Sequence, residues 1–128
     1  MDYFSSNSML LMEKSMNFLW TKQAAISDNI ANAETPNYKA KIVTFEENLR
    51  ERMEQAMRSR TPRSSMRETL EGSQFAVVST QDSTRLDDNG VNATEQMVEL
   101  VRNAYQLQYV MNAISTDLST LRTAISGK

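Results

Sequence analysis

The side chains of this sequence that could do chemistry are acidic, because the chain of 128 residues has no histidine and no cysteine. That composition excludes imidazole bases, thiol nucleophiles, disulfides and zinc sites built from Cys and His. One acidic pair lies in a turn-like segment, Asp87-Asp88-Asn89-Gly90. A calcium loop with Gly90 at its sixth position would begin at Arg85 and end at Gln96, where acidic ligands are needed. The segment therefore predicts a tight turn, and we expect no catalytic residue, cofactor or metal.

The remaining chemical motifs are equally weak. Three glycines provide no phosphate-binding loop, and the sequon Asn92-Ala93-Thr94 overlaps a predicted helix cap. Arginines are frequent in one central stretch: Arg50, Arg52, Arg58, Arg60, Arg63 and Arg67. A nucleic-acid site would interleave aromatic residues, and none occurs between Phe45 and Phe75. The stretch favours a solvated, flexible linker, and the net charge of −2 predicts no steering toward nucleic acid or membrane.

The end of the chain carries the strongest pattern. Nine apolar residues, the C-terminal seam, recur there at alternating steps of three and four: Met97, Leu100, Ala104, Leu107, Met111, Ile114, Leu118, Leu121 and Ile125. A period of about 3.5 residues over about four heptads is typical of a helix packed lengthwise on other helices. More apolar residues lie beside this line: Val98, Val101, Tyr105 and Val110. A stripe widened in this way suits a helix with neighbours on more than one side.

The beginning of the chain carries a matching pattern, the N-terminal seam: Met9, Met12, Met16, Leu19, Gln23, Ile26, Ile30 and Ala33. Its one polar member, Gln23, could fix the register of packing at some cost in stability. The two seams are consistent with an antiparallel, coiled-coil-like hairpin of long helices and with packing against neighbouring molecules. We expect both seams to be core and assembly interface, in a mainly α-helical fold.

Local signals divide the chain, as one domain of residues 1–128, into two helices and a middle segment. The first helix is predicted at residues 8–33, and Thr35-Pro36 with Asn37 predicts a turn that leaves the chain extended over residues 38–43. The middle, residues 34–90, is expected to be partly irregular, with a short helix within residues 44–60 that Thr61-Pro62 ends. No sustained period follows over residues 63–90, and residues 75–78 predict one short strand.

The second long helix is predicted at residues 92–126. Asn92 is its expected N-cap, with Glu95 in the capping-box position, and Gly127 its expected C-cap. No apolar run is long enough to span a membrane, and residues 1–7 lack the features of a cleaved signal peptide. We therefore expect any export from the cytoplasm to follow another route.

The turn after the first helix resembles a known motif. It is similar to the sequence that follows the N-terminal helix in the flagellar rod, hook and hook-associated proteins of bacteria. The residues that match are Asn29, Asn32, Thr35, Pro36, Asn37, Tyr38 and Lys39. The usual Gly before the Tyr is Asn37 here, which tolerates a left-handed turn. Residues 89–128 resemble the closing helix of the smallest, proximal-rod members, and residues 46–86 match no motif.

The resemblance implies a structural subunit of the flagellar basal-body rod that assembles helically through its terminal helices in the periplasm. It also implies export through the flagellar type III apparatus. The partners implied are the chain itself, other rod proteins, the ring or export-gate adaptor at the rod base and the export apparatus, without nucleic acid or a membrane span. The alternative is a soluble helical adaptor or secretion chaperone, which would fold stably alone. An enzyme based on Asp or Glu is the third hypothesis.

Overall fold

The computed structural model describes residues 6–45, 49–80 and 90–127. Four helices and two strands follow one another along these ranges: α1 (Asn7–Ala31), β1 (Lys41–Phe45), α2 (Leu49–Met57), α3 (Pro62–Glu71), β2 (Phe75–Ser79) and α4 (Ala93–Ser126). The prediction of a mainly helical fold with long terminal helices is confirmed. None of the helices in these ranges is both long enough and apolar enough to span a membrane.

The two long helices pack side by side and antiparallel. Leu19 of α1 lies opposite Asn103 of α4, and Lys22, further along α1, lies opposite Glu99, earlier in α4. Local signals set both ends of α4 as expected from the sequence. The Asn92 side chain accepts a hydrogen bond from the Glu95 amide at 3.3 Å, and Gly127 ends α4 with φ at 68°, a conformation that glycine adopts without steric cost.

The first helix ends slightly earlier than its seam suggested. The sequence predicts a helix over residues 8–33, whereas α1 ends at Ala31 with Asn32 as its C-cap. Ala33 lies beyond that end and packs into a small buried cluster with Ala40, Val91 and the ring of Tyr38. The apolar periodicity therefore continued past the helix because the turn itself buries an alanine.

Two short strands form an antiparallel ribbon beside α1. β1 pairs with β2 in a register that sets Lys41 opposite Ser79 and Phe45 opposite Phe75. The Phe18 ring of α1 lies 4.7 Å from the Phe45 ring and 6.0 Å from the Phe75 ring, centroid to centroid. Such tilted and edge-to-face aromatic contacts stabilise packing beyond the area they bury, so this Phe triad fixes the ribbon to α1. The predicted strand near residue 75 therefore has a partner that the sequence did not identify.

The segment between the two strands is an ordered helical hairpin, which corrects the sequence interpretation. Residues 44 and 45 belong to β1, and α2 (Leu49–Met57) lies within the range in which a short helix was predicted. Residues 62–71, expected to lack a period, form α3, with Pro62 in its first turn. Proline is favoured there because the first helical N–H needs no partner. The arginine-rich stretch is thus largely helical rather than a flexible linker.

The α2–α3 hairpin docks on the first half of α1. Leu70 of α3 is almost fully buried, and the Lys14 ammonium group donates to the carbonyl oxygens of Glu71 and Ser73 at 3.3 and 3.1 Å. A cation at this position satisfies carbonyl groups that the end of a helix leaves unpaired. At the other end of α3, the Asn7 side chain donates to the Arg63 carbonyl at 2.8 Å. The middle segment is therefore part of the fold, held along α1.

Candidate assembly surfaces

Asn29, near the end of α1, connects the predicted turn to the rest of the fold through four side-chain hydrogen bonds. Its side chain is 1% exposed, and its Oδ1 accepts from the Lys41 amide at 2.7 Å while its Nδ2 donates to the Lys41 carbonyl at 2.8 Å. Nδ2 also donates to Gln96 Oε1 at 2.9 Å, and the Tyr38 hydroxyl donates to Oδ1 at 3.5 Å. An amide side chain offers two donors and two acceptor sites, and all four are used. One residue thus connects α1, the turn, β1 and α4.

The turn itself is held by short-range polar contacts. The Asn32 side chain donates to the Asp28 carbonyl at 2.8 Å, and the Thr35 hydroxyl donates to Asn32 Oδ1 at 3.2 Å. Asn37 adopts the left-handed conformation that the sequence predicted, with φ at 60°. These contacts explain why Asn residues recur in the segment: their side chains replace backbone partners where the helix ends.

The remaining predicted turn residues join the turn to the start of α4. Pro36 is exposed and Lys39 half-buried, whereas the Tyr38 carbonyl accepts from the Gly90 amide at 2.8 Å. That contact places Val91, which is 2% exposed, against Ala33 and Ala40. The turn after α1 therefore forms an internal joint between the two long helices. The acidic turn predicted at residues 87–90 lies, except for Gly90, outside the described residues.

A surface ion pair flanks this joint. Lys41 Nζ lies 2.8 Å from Asp28 Oδ2, and both side chains are substantially solvent-accessible. The hydrogen bond to Asp28, followed by the charge of Asp28 and then that of Tyr38, raises the pKa of Lys41 above its ordinary value. Exposed pairs of this kind contribute little to stability, so the joint depends chiefly on the Asn29 amide.

A second buried amide lies between the two long helices. Asn103 is fully buried, and its Nδ2 donates to the Leu19 carbonyl at 3.0 Å and to Gln23 Oε1 at 2.7 Å. Its Oδ1 has no hydrogen-bond partner among the described residues. Beside it, Lys22 and Arg102 both pair with the Glu99 carboxylate, at 3.2 and 2.8 Å. Gln23 therefore interrupts the N-terminal seam because it has a polar partner across the interface, a partner that the sequence interpretation did not assign.

The C-terminal seam divides into two rows. One row is half-buried: Leu100, Leu107, Ile114 and Leu121. The other row is exposed: Met97, Ala104, Met111, Leu118 and Ile125. Asn103, rather than Ala104, occupies the buried position between Leu100 and Leu107. The face of α4 that meets α1 is thus rotated by about one residue from the apolar line, because a buried Asn–Gln pair takes the place of an apolar contact.

The N-terminal seam, in contrast, lies inward throughout. Leu19 and Ile26 are buried, as is Ala33 just past the helix, and the other apolar members are half-buried: Met9, Met12, Met16 and Ile30. Gln23 is half-buried through its contact with Asn103. The N-terminal seam is therefore mainly an internal surface of the subunit.

The outer surface of α4 is apolar and uncharged over a long distance. Its largest exposed side chains include Tyr105 and Tyr109, at 72% and 76% exposure, and Val98 and Val101 at more than half. No charged residue occurs from residue 103 to residue 116. Soluble proteins rarely expose extended apolar surfaces without a partner. We call the exposed row together with Val98, Val101, Tyr105 and Tyr109 the outer face of α4.

An apolar groove of about 490 Å³ runs beside the Phe triad, between α1, β1 and α4. We call it the Phe groove, and its lining residues are Ser15, Phe18, Leu19, Phe45, Tyr105, Gln106, Tyr109 and Val110. None of these residues is charged. Among the residues that the structure describes, no cluster of acids could hold a metal ion. The groove itself therefore has the uncharged, aromatic character of a contact surface.

Two comparisons with known proteins both find a likeness to flagellar rod proteins. Residues 16–39, the second part of α1 and the turn, match the family model described as flagella basal body rod protein. The chain is also 27% identical over 123 residues to the flagellar basal body rod protein FlgB of Bacillus subtilis (strain 168), a match that covers 95% of each chain. The segment matched by the family model contains Asn29 and Tyr38, so it coincides with the joint between the long helices.

Proposed function

We infer that this chain, a FlgB-like flagellar basal-body rod protein, is a structural subunit of the rod. It belongs to the flagellar basal body and assembles there with other rod proteins. We further propose that it packs helically with copies of itself in the periplasm and is delivered by the flagellar export apparatus. At the base of the rod, the proposed neighbour is the ring or export-gate adaptor. The family match supports these partners, and the outer face of α4 is the surface we propose for subunit contacts.

The single observation that carries the assembly mechanism is the burial of α4. This helix has 34 residues, and Asn103 is the only one of them that is buried in the subunit. A globular protein would cover so apolar a helix with its own core. The outer face of α4 is instead left for contacts outside the chain, which is what a subunit of a larger assembly needs.

Assembly would bury this surface at a substantial gain in free energy. Full burial of a Val, Leu, Ile or Met side chain contributes roughly 1.5–3 kcal/mol, and several such residues lie on the outer face of α4. The gain is offset by the loss of translational and rotational freedom and by side-chain ordering. A subunit of this kind therefore gains much of its rigidity only when its neighbours are in place.

A pair of substitutions, one on α4 and one away from it, tests this function. Val101→Lys adds a charge to the outer face of α4, and Gln55→Lys adds the same charge at an exposed polar position on α2. In a strain that lacks the gene, we expect the Gln55→Lys chain to restore swimming and visible rods, and the Val101→Lys chain to restore neither. Purified Val101→Lys should melt at the wild-type temperature, because the site is exposed in the subunit.

The same experiment is less informative at the half-buried row. Leu107 and Ile114 face α1, so a charge there would disturb the helical hairpin as well as assembly. Normal swimming with Val101→Lys combined with Met111→Lys would contradict the proposed role of the outer face. Intact rods in the strain that lacks the gene would contradict the role of the chain as a rod subunit.

A further inference from the structure

The chain has one tryptophan, and that residue projects from the surface of α1. Trp20 is 62% exposed. Its nearest exposed neighbours on the same side of the helix, Asn17 and Ala24, are small or polar and uncharged, and the charged Glu13 lies two turns away. An exposed indole whose nearest neighbours are small or neutral forms a protrusion that another surface can approach closely. Within a single subunit, this protrusion adds little to stability.

The Phe groove lies on the opposite flank of α1. Phe18, which lines the groove, is two residues from Trp20, and two residues of an α-helix are separated by about 200° around its axis. Leu19, between them in sequence, faces α4 and is buried there. The helical pair therefore presents a protrusion on one flank and a groove on the other.

The protrusion and the groove match in size and chemistry. Cavities of roughly 300–1,000 Å³ accommodate groups the size of small molecules, and the Phe groove has a volume of about 490 Å³. Its lining is uncharged and contains four aromatic rings, those of Phe18, Phe45, Tyr105 and Tyr109. Aromatic side chains gain from edge-to-face or offset contacts with other rings. The groove thus offers an aromatic, uncharged environment of the kind that an indole prefers.

We propose that Trp20 of one copy of this chain inserts into the Phe groove of the next copy. The proposal rests on the rod-subunit function inferred above and specifies the contact between two copies. A second copy is the occupant because each molecule carries both halves of the contact, both uncharged and on opposite flanks. The contact is not reciprocal: the protrusion of one copy meets the groove of its neighbour and leaves its own groove open. Repeated contacts of this heterologous type extend into rings or helices.

The single tryptophan makes the contact directly measurable. As the concentration of wild-type chain rises, we expect the fluorescence emission of Trp20 to shift to shorter wavelength and its quenching by acrylamide to fall severalfold. Tyr109→Lys, in the groove, should abolish both changes. Met57→Lys, an equally exposed apolar site on α2, should leave them intact. Both variants should melt as the wild type does, because each site is exposed in the subunit.

Mixing experiments test the polarity of the contact. Trp20→Ser keeps the groove and removes the fluorophore, whereas Tyr109→Lys keeps the fluorophore and spoils the groove. Each variant alone should show no burial of tryptophan, and an equimolar mixture should restore the blue shift. Association of the wild type without any change at Trp20 would overturn the proposal, as would a mixture that shows no shift when the wild type does.

Cross-linking in assembled basal bodies identifies the occupant. Because the chain has no native cysteine, Ala24→Cys beside Trp20 and Gln106→Cys in the groove provide the only thiols of this chain. A short bismaleimide should convert the double variant into a ladder of multimers, and the pair Ala24→Cys with Met57→Cys should give none. A cross-link to a protein of another size, or within one chain only, would overturn the proposal while leaving the rod function standing. If the strain that lacks the gene retains intact rods, the proposed function fails instead.

Discussion

The two long helices, α1 and α4, differ in how their side chains are used. Among the 25 residues of α1, four are buried: Leu19, Ala25, Ile26 and Asn29. Among the 34 residues of α4, only Asn103 is buried. α1 is covered by α4 on one side and by the ribbon and α3 on another, whereas α4 contacts the subunit along one face. The apolar periodicity is thus similar in both helices. In α1 the periodic residues are buried or half-buried in the subunit, whereas in α4 many of them are exposed.

This difference separates two kinds of stability. Residues of α1 hold the subunit together, whereas residues on the outer face of α4 add little to the subunit itself and are the ones we propose for contacts between subunits. A substitution in α1 should therefore change the unfolding of a single chain, and one on the outer face should change assembly alone. Four predictions, from the largest expected effect to the smallest, test this division.

The largest contrast is expected between Ile26→Ala and Val101→Ala. Ile26 is 4% exposed, and its truncation leaves a cavity that should lower the free energy of unfolding by about 3 kcal/mol. Val101 is exposed, so its truncation should change that free energy by less than about 0.5 kcal/mol. Urea unfolding of dilute protein measures both. Equal losses at the two sites would show that α4 is covered in the free subunit and would remove the distinction.

The next largest effect is expected at the joint. Asn29→Ala removes the partner of the Lys41 N–H and C=O groups, and unsatisfied buried polar groups cost about 1–3 kcal/mol each. We expect a loss of about 2–3 kcal/mol in unfolding free energy, with Asn17→Ala on the exposed side of α1 as the matched control. Hydrogen exchange should localise the effect, with the Lys41 amide losing its protection in the Asn29 variant. Unchanged protection at Lys41 would contradict the central role of this amide.

A smaller effect of opposite sign is expected between the helices. Replacing both members of a buried polar pair with apolar residues can be neutral or stabilising. We therefore expect Gln23→Leu combined with Asn103→Leu to raise the free energy of unfolding by up to about 1 kcal/mol. Asn103→Leu alone should be less stable than the double variant, since it leaves the Gln23 amide without this partner. A marked loss in the double variant would show that the pair stabilises α1 against α4.

The smallest effect is expected from the ion pair at the joint. Asp28 raises the pKa of Lys41 above its ordinary value of 10.5, so this contribution to stability is fully present below that pH. It is lost as the pH rises through the raised value of the folded state. The urea midpoint of the wild type should fall slightly in that alkaline range, and Asp28→Asn should show a smaller fall. An identical alkaline profile in both chains would contradict this linkage.

Local sequence signals predicted much of the fold. The caps at Asn92 and Gly127, the left-handed Asn37 and the antiparallel pairing of long helices all follow from short-range rules or simple periodicity. α3 was missed because Pro62 reads equally as the end of one helix and the first turn of another. The pairing of β1 with β2 was missed because it joins residues thirty or more positions apart, and local propensity carries no information about such partners.

The candidate surfaces were predictable only in part. Periodicity identified the C-terminal seam, yet it could not tell which row faces α1, because the exposed row is also apolar. The deciding residue is Asn103, whose burial depends on Gln23 across the interface. Likewise, Asn29 was recognised as a motif residue, but its role depends on a strand that begins twelve residues later. Long-range polar partners are the information that a single sequence lacks.

The contact between Asn29 and Lys41 has a further consequence for how the chain avoids misassembly. A two-stranded ribbon has open edges, and open strand edges can recruit strands from other molecules. The amide of Asn29 occupies both backbone groups of Lys41, the residue with which β1 begins. A foreign strand would have to displace that amide before it could pair there. This arrangement discourages amyloid-like pairing at the start of β1, as a subunit that associates through its helices would require.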